Sequence, residues 1–450
     1  MGTSLNVGDI VYRIGIFVNP RQNGFKTPQL GAIIAPMSEH EMDNRDHKRL
    51  GKELDLFTFS DTVGKGLPLF TVKGTAIRRE IERFIVDEEI KRGYSHVMTP
   101  DIAKLELYEK SGHYPHYKDS MYPPLVTEEN DRFMLRPMTC PHHFELYLSK
   151  PHSYREFPIR YAELAKLYRY EQSGELMGLL RVRGFCLSDA HIICASEEQA
   201  IEEVHKALDL IEYANGVLGL QMGVDYSYRL SQGDRANTEK YFKDDAGWDK
   251  AEALLREAMQ KRGVPFVEAK DEAAFYGPKI DIQMKNVNGK EDTAFTVQYD
   301  LSSPVKFDLT YTGDDGKPHR TFVVHRSSIG SIERTMAFLI EKYAGAFPTW
   351  LSPVQVKVLP ISDKHTEYAL KVFAQLRDSG VRVELDDSSE SLGKKVRNAK
   401  VEKVPYSLVI GDAEMATESV AVESRDKGKI GVQPIAEFIN NLLTEIKARA

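Results

Sequence analysis

The chain has 450 residues, 42% of them hydrophobic and 28% charged, which is a globular composition too long for one hydrophobic core. No apolar run approaches the ~18 residues of a membrane span, no targeting peptide is recognisable, and the formal net charge of -7 excludes indiscriminate coating of nucleic acid. Three scattered cysteines are too few for a disulfide framework, which predicts a cytoplasmic protein.

Residues 1–41 carry scattered prolines and glycines and predict a short N-terminal arm, whose role the sequence does not indicate. Between Thr75 and Arg92 apolar residues recur at helical spacing, which predicts an amphipathic helix packed on a sheet. Gly93 ends this helix, and a strand-like run follows to Pro100. Core packing alone explains that pattern.

A loop rich in glycine, proline and tyrosine is predicted between Tyr108 and Pro124. Ligand contacts often lie on such loops, and this one contains His113. A solitary loop histidine is usually solvated, so by itself it indicates no site.

The stretch from Arg160 to Cys194 interleaves charged and aromatic residues with strand formers, and a polar turn at residues 172–174 predicts an antiparallel strand pair. Because side chains alternate along a strand, one face is expected to collect cations, a carboxylate, a ring and an imidazole. These are Arg169, Glu171, Arg181, Arg183, Phe185, Asp189 and His191. Such a face suits a nucleotide, although a salt-bridged, solvent-facing hairpin explains the composition equally well.

Two helices, at residues 196–218 and 248–262, and further strand patterns predict an α+β domain built on a mixed, mostly antiparallel sheet. The segment GSIER, from Gly330 to Arg334, begins a helix that runs through Ile340. Many helices begin with a cap and an ion pair of this kind. From about residue 352 the pattern changes to βαβαβ, which predicts a separate α/β domain with a parallel core.

Several motifs occur in the order and spacing of one known family: TCP, RYEQSGEL, RVRGF, DAHI and HRSSIGSIER. With them the chain resembles class II aminoacyl-tRNA synthetases, and among these the threonyl-tRNA synthetase family, from about Asp46 to the C-terminus. The resemblance implies a class II catalytic domain at 42–351 and an anticodon-binding domain at 352–450. It also implies a homodimer formed through the helix before Gly93 and the strand ending at Pro100.

The implied reaction joins threonine to ATP as an adenylate and then transfers it to the 3' end of tRNA(Thr). A carboxylate is ionised at neutral pH, so activation needs positioning and charge neutralisation by arginines and Mg²⁺ rather than a general base. The resemblance implies catalytic roles for Arg169, Arg334, Lys279 and His113, the last near the terminal ribose of the tRNA. It implies ATP contacts by Arg169, Glu171, Arg181, Phe185, Gln298, Ser331 and Arg334, and threonine contacts by Met138, Arg169, Asp189 and Tyr276.

The family also places a zinc ion on residues matching Cys140, His191 and His325, although their separation fits no local zinc motif. Three protein ligands leave one position open, as in catalytic zinc sites. Chelation of the amino and hydroxyl groups of threonine would exclude valine, with Asp189 accepting the hydroxyl proton in a hydrogen bond. An apolar pocket separates such isosteres only about 10²-fold, whereas a hydroxyl-binding site reaches roughly 10⁴-fold.

The chain departs from the family pattern at several positions. His142 stands for a glycine, Met177 for a loop histidine, and Leu187 for a glutamine of the threonine pocket. In the anticodon-binding domain Ser389 and Glu423 stand for an asparagine and an arginine that read bases, whereas Glu414 is kept. A basic helix could grip phosphates through Lys394, Lys395, Arg397, Lys400 and Lys403, although a solvated face explains it as well.

The leading hypothesis is a zinc-dependent threonine-tRNA ligase. Residues 1–41 are too short for the family's editing region, so we expect uncorrected mischarging with serine. A synthetase-derived binding or regulatory paralogue without aminoacylation is the alternative, motivated by Leu187 and Glu423. A prolyl or seryl synthetase is a third reading, and the Cys/His/His set disfavours the prolyl enzyme.

Overall fold

The computed structural model describes residues 45–449, and the arm predicted for residues 1–41 lies outside them. Helices of the first part are α1 His47–Glu53, α2 Val72–Lys91, α3 Leu105–Ser111, α4 His113–His116, α5 Cys140–Leu148, α6 Glu197–Val217, α7 Asp245–Arg262, α8 Ser303–Lys306 and α9 Ile332–Tyr343. Across the described residues, no helix combines the length and the apolar composition needed to cross a bilayer.

Fifteen strands lie in the same part of the described residues. They are β1 Phe57–Thr58, β2 Leu69–Phe70, β3 Ser95–His96, β4 Ile102–Lys104, β5 Leu125–Val126, β6 Arg132–Leu135, β7 Ile159–Tyr168, β8 Gly184–Cys194, β9 Tyr226–Gln232, β10 Phe266–Lys270, β11 Lys279–Lys285, β12 Glu291–Asp300, β13 Thr310–Thr312, β14 Pro318–Arg320 and β15 Phe322–Ser331. Eight of them form one sheet in the order β10-β9-β11-β12-β15-β8-β7-β3. Only its outermost pairs, β10 with β9 and β3 with β7, are parallel. The mostly antiparallel α+β fold predicted from the sequence is therefore confirmed.

The predicted amphipathic helix before Gly93 is α2, which the Thr71 side chain caps by accepting the Gly74 amide. Its apolar stripe, including Ile77, Ile81 and Phe84, is buried in the main hydrophobic core. From the sheet, the buried Arg326 donates to Glu89 of this helix at 2.6 Å. Apolar packing and a buried ion pair thus fix α2 beneath the sheet.

The C-terminal part has its own five-stranded sheet and a separate hydrophobic cluster. Its elements are β16 Val356–Pro360, α10 Thr366–Asp378, β17 Val383–Leu385, α11 Leu392–Val401, β18 Tyr406–Ile410, α12 Asp412–Ala416, β19 Ser419–Ser424, β20 Gly428–Pro434 and α13 Ile435–Ala448. Strands β17, β16 and β18 are parallel neighbours, which confirms the predicted α/β core. The antiparallel strands β19 and β20, which extend the sheet, were not predicted.

One sequence-based expectation about the hairpin is wrong. The paired strands end at Tyr168 and resume at Gly184, so strand alternation does not orient the four charged residues between them, Arg169, Glu171, Arg181 and Arg183. Loop hydrogen bonds hold this segment, including the Arg169 amide to the Arg183 carbonyl at 2.9 Å. A 3-10 turn at Ser173–Glu175 lies in the loop between the two strands. Alternation does hold within β8, which carries Phe185, Leu187, Asp189 and His191 at every second position.

Candidate active site

Two adjoining cavities lie on one face of the main sheet. The larger, of about 340 Å³, is called the central cavity, and its lining includes Met138, Cys140, Arg169, Leu187, Asp189, His191, Tyr276, Lys279, Gln298, His325 and Arg334. The smaller, of about 90 Å³, is called the side cavity and is lined by residues including Glu171, Arg181, Phe185 and Ser331. Arg169, Leu187, Ala294 and Arg334 line both. The fold thus assembles residues predicted from well-separated motifs.

Cys140, His191 and His325 form a buried cluster whose potential ligand atoms lie within 4.8 Å of one another. The two histidines meet because they are register partners on neighbouring strands β8 and β15. Cys140 opens helix α5, which packs against β8. The sheet therefore brings together residues whose separation in the sequence made a metal site look improbable.

The donor set of this cluster fits a zinc ion. Burial, then the charge of His325, lowers the pKa of His191 well below its ordinary value, so its imidazole is neutral as a ligand must be. Burial, then the charges of Asp189 and Asp300, raise the pKa of the Cys140 thiol. A divalent cation reverses that preference, because a coordinating thiol is deprotonated. One thiolate and two imidazoles are typical zinc donors.

Arginines line the border between the two cavities. The Arg334 guanidinium donates from Nε to the Leu180 carbonyl at 3.0 Å and from Nη1 to the Thr293 carbonyl. Burial, then the nearby charge of Arg169, lowers the pKa of Arg334. Two cations that repel each other in a buried place favour an anion between them. This border is therefore suited to a phosphate or a carboxylate.

Residues predicted to bind the nucleotide contact one another in the side cavity. Arg181 donates to the Glu171 carboxylate at 2.8 Å, and the Arg169 guanidinium lies 5.2 Å from the centre of the Phe185 ring. The Ser331 hydroxyl caps α9 by accepting the Arg334 amide at 3.2 Å. Gly330 has φ of +64°, and a Cβ there would lie 2.2 Å from the Ala294 carbonyl oxygen. The close approach at Gly330 is thus to the protein backbone.

Polar side chains of the central cavity are already oriented. The Tyr276 hydroxyl donates to Gln298 at 2.6 Å, and its ring stacks on His325 with centroids 4.9 Å apart. Lys279 is 2.9 Å from the carboxylate of Asp281, a buried residue that also accepts from Ser231. These contacts reduce the freedom that a ligand would have to remove.

His113 does not lie on a loop surface as its sequence context predicted. It begins the short helix α4, is 1% exposed, and approaches the Cys140 sulfur with Nε2 at 3.6 Å. Burial, then the charge of His325, lowers its pKa to about 3. Such a histidine is poorly suited to act as a general base near neutral pH.

The residues predicted to read an anticodon lie in the C-terminal sheet region. Ser389 is exposed, whereas the Glu414 carboxylate is buried and accepts the Gly411 amide at 2.9 Å. Glu423 pairs with Lys400 of the basic helix at 2.7 Å. Lys395, predicted to face phosphates, is instead 2% exposed and donates to the Pro360 and Asp386 carbonyls.

Three residues around the candidate metal site were missed in the sequence. Asp300 accepts from Nε2 of His325 at 2.6 Å, and His143 contacts His191 with their Nδ1 atoms 2.8 Å apart. Glu163 in turn lies 3.2 Å from Nε2 of His143. The chain carries 67 acidic residues and 13 histidines, so nothing in the sequence distinguished these three.

Glu163→Gln is expected to lower stability at neutral pH by about 2–3 kcal/mol, with the loss disappearing in acid. Burial would raise the pKa of Glu163, but hydrogen bonds from His143 and Thr99 and the charge of Arg136 lower it to about 2. Because the folded-state pKa is depressed, the stabilisation is present above the ordinary glutamate pKa of about 4.5 and is lost as the pH falls from there towards 2.

Urea unfolding of metal-free protein between pH 7 and pH 3 measures this effect. Glu129→Gln, at an exposed position, is the control and should match the wild type throughout. A wild-type minus Glu163→Gln difference that stayed constant across this pH range would contradict the assignment.

Two family models match the chain. The model "tRNA synthetase class II core domain (G, H, P, S and T)" matches residues 124–343, and "Anticodon binding domain" matches residues 355–445. Both matches agree with the architecture expected from the sequence.

Curated relatives are similar over most of the chain. A threonine-tRNA ligase of Geobacillus sp. (strain WCH70) is 49% identical over 424 residues, which cover 94% of this chain and 65% of the relative. One from Clostridium perfringens (strain 13 / Type A) is 48% identical over 426 residues, with 94% and 65% covered. The chain thus spans slightly less than two thirds of the length of these relatives.

Solved structures give the same result. A structure titled as the RNA binding domain of threonyl-tRNA synthetase from Cryptosporidium parvum Iowa II has a TM-score of 0.83 and 35% identity, covering 89% of this chain and 98% of that one. A putative threonyl-tRNA synthetase from Aeropyrum pernix has a TM-score of 0.77 and 28% identity, with 90% and 97% covered. On these similarities and the two-domain architecture, the chain belongs to the threonyl-tRNA synthetase family of class II aminoacyl-tRNA synthetases.

Proposed function

We propose that this protein is a threonine-tRNA ligase, which activates threonine with ATP and transfers it to the 3' end of tRNA(Thr). The observation that carries the proposal is the adjacency of the two cavities. A Cys/His/His cluster lies in the central cavity, nucleotide-binding residues line the side cavity, and Arg169 and Arg334 line both. This arrangement suits an amino acid and ATP that react at their shared border.

In the proposed activation step, the threonine carboxylate attacks the α-phosphorus of ATP, and pyrophosphate leaves. Arg169 at the border holds both the carboxylate and the α-phosphate, which fixes the attack geometry and neutralises charge on the phosphoryl oxygens. Arg334 clamps the nucleotide from the other side of the same border. Mg²⁺ accompanies the ATP phosphates, as is general for phosphoryl chemistry of this kind.

The nucleotide is proposed to displace contacts between the residues that line the side cavity. Glu171 exchanges Arg181 for the exocyclic amine of adenine, and Arg181 turns to the terminal phosphates. Phe185 exchanges the Arg169 guanidinium for the base. Ser331, Gln298 and Lys279 complete the proposed adenylate contacts. Arg181 exchanges one anionic partner for another, which reduces the desolvation cost of binding the phosphates.

Selection of threonine is proposed to depend on Cys140, His191 and His325. A zinc ion held by these three residues would supply Lewis-acid coordination for the amino and hydroxyl groups of the substrate. Asp189 accepts a hydrogen bond from the threonine hydroxyl, while Met138 and Tyr276 border the pocket. A valine side chain offers no hydroxyl, so it would leave these buried polar groups unpaired.

Transfer to tRNA is proposed to use His113 and the C-terminal part. His113 is buried beside Cys140 and has a low pKa, so we assign it an orienting role towards the terminal ribose. Ser389 is exposed and Glu423 is partly exposed, and Lys400 partly compensates the acidic charge of Glu423. Glu414 would have to leave the Gly411 amide to contact a base.

A homodimer is also proposed, formed along α2 and the segment ending at Pro100. Met98 on this segment is 94% exposed, which is unusual for a large apolar side chain on a protein surface. Sedimentation of the purified protein tests the proposal. The cytoplasmic location and the failure to deacylate seryl-tRNA stay predictions.

Threonine-dependent ATP-pyrophosphate exchange, followed by aminoacylation of tRNA(Thr), tests the proposed function. Valine should give no measurable exchange, and serine should give roughly 10- to 200-fold less than threonine, since it lacks only one methyl group. A protein that binds tRNA(Thr) but exchanges no pyrophosphate with threonine would support the non-catalytic paralogue.

Leu187→Gln is expected to lower KM for threonine about 10-fold and to change KM for ATP much less. Leu187 lines the central cavity at a position where the family usually has glutamine, and an amide oxygen there could accept a hydrogen bond from the substrate ammonium group. A hydrogen bond to a charged group contributes about 1.5–3 kcal/mol. Leu187→Met, which has similar volume and no amide, is the matched control. An equal gain in both variants would contradict the explanation.

A further inference from the structure

We propose that His143 is a positioning residue, which determines the ring nitrogen of His191 that carries a proton. Glu163 and Arg136 hold His143 in the required state. The inference rests on the proposed metal site and extends it to a buried chain of four side chains: Arg136, Glu163, His143 and His191. Apolar core packing does not explain these contacts, because all four side chains are polar or charged.

The chain of contacts is continuous and excluded from water. Nδ1 of His191 lies 2.8 Å from Nδ1 of His143, and Nε2 of His143 lies 3.2 Å from Oε2 of Glu163. The same carboxylate accepts from Arg136 at 2.9 Å and from Thr99 at 2.7 Å. Arg136, Glu163, His143 and His191 are each 4% exposed or less.

Hydrogen-bond donors and acceptors fix the protons along this chain. An ionised carboxylate can only accept, so Nε2 of His143 must carry a hydrogen and donate it to Glu163. A neutral imidazole protonated at Nε2 has its lone pair at Nδ1. In the neutral His143 that the proposal requires, that atom can only accept, so Nδ1 of His191 donates. Nε2 of His191 is then left with a lone pair.

A metal binds the imidazole nitrogen that carries no hydrogen. The hydrogen bond made by the other ring nitrogen determines which of the two that is. For His325 the partner is direct, because Asp300 accepts from Nε2 at 2.6 Å and leaves Nδ1 with the lone pair. For His191 the carboxylate acts through an intervening imidazole. The structure therefore assigns a carboxylate to each histidine ligand. Asp300 contacts His325 directly, and Glu163 acts on His191 through His143.

Metal affinity of matched variants tests the proposal. His143→Leu removes the acceptor, whereas His143→Asn retains an oxygen near the position of Nδ1. His143→Leu should weaken zinc and cobalt(II) binding about 10- to 100-fold, and His143→Asn should recover most of the loss. Glu163→Gln should also weaken binding, because its amide can donate to Nε2 of His143 and reverse both tautomers.

The control is His152→Asn. His152 is another buried histidine paired with a carboxylate, Glu156 at 2.9 Å, but it lies outside the cluster of potential ligands. This variant should bind both metals as the wild type does, whatever it does to folding stability.

The proton position can also be measured without metal or activity. In metal-free protein labelled with ¹⁵N-histidine, the signal lost in His191→Gln should have the shifts of an imidazole protonated at Nδ1, and Glu163→Gln should move them towards protonation at Nε2. A wild type that binds neither metal would overturn the metal site itself. A wild type that binds while folded His143→Leu binds equally well, with the cobalt(II) visible spectrum unchanged, would overturn only the role of His143. If His143→Leu does not fold, the ¹⁵N shifts of the wild type and Glu163→Gln decide the question.

Discussion

Cys140→Ala is expected to abolish tight zinc binding and to lower threonine-dependent pyrophosphate exchange about 1000-fold. The remaining imidazoles of His191 and His325 cannot supply the thiolate, and a two-ligand site binds zinc far more weakly than a three-ligand site. Without the ion, the cavity loses its means of binding the amino and hydroxyl groups together. The loss should be largest in kcat/KM for threonine, and the dissociation constant for ATP should change little.

Elemental analysis and exchange kinetics measure this result together. Cys194→Ala is the matched control, because Cys194 is also a buried cysteine but lies in the apolar core away from the candidate ligands. It should retain about one zinc per chain and near-normal exchange. Full exchange activity in metal-free Cys140→Ala would remove the basis for threonine selection proposed above.

Local sequence patterns predicted the helices and strands whose formation depends on nearby residues. Apolar residues at helical spacing found α2 and α6, and Gly93 marked the correct end of α2. The βαβαβ alternation found the parallel core of the C-terminal sheet. Strand β20 was missed because it is an exposed edge strand, which lacks the apolar alternation of a half-buried strand.

The candidate site could be predicted only through resemblance, since its geometry depends on contacts between distant segments. His191 and His325 become neighbours through the pairing of β8 with β15, which no local pattern encodes. Strand periodicity failed between Tyr168 and Gly184, where loop hydrogen bonds orient Arg169 and Glu171. His143, Glu163 and Asp300 had no signal, because a buried polar network depends on three-dimensional partners.

The fold shows what two residues that depart from the family pattern, His142 and Glu423, contact. His142, where the family usually has glycine, is 8% exposed and packs beside Tyr108 with ring centroids 6.2 Å apart. Glu423 reverses a charge on a surface expected to face RNA, yet Lys400 lies 2.7 Å away. Replacing either partner of that pair would leave the charge of the other uncompensated.

Arg169→Ala is expected to lower kcat/KM for pyrophosphate exchange by about 10³-fold or more, with the larger part in kcat. Arg169 lines both cavities, so its guanidinium can contact the threonine carboxylate and the α-phosphate at once. Charge on the phosphoryl oxygens develops most in the transition state, so the loss should exceed the loss in substrate binding.

Arg169→Lys should recover only a small part of the activity. A lysine restores the positive charge, but it lacks the planar fork that lets one side chain bind a carboxylate and a phosphate together. Arg155→Ala, at an exposed arginine outside both cavities, is the control and should exchange as the wild type does. Full recovery by Arg169→Lys would mean that charge alone is needed at this position. Equal losses in kcat/KM and in ATP affinity would instead assign Arg169 to ground-state binding, because a group that stabilises only the transition state leaves substrate affinity unchanged.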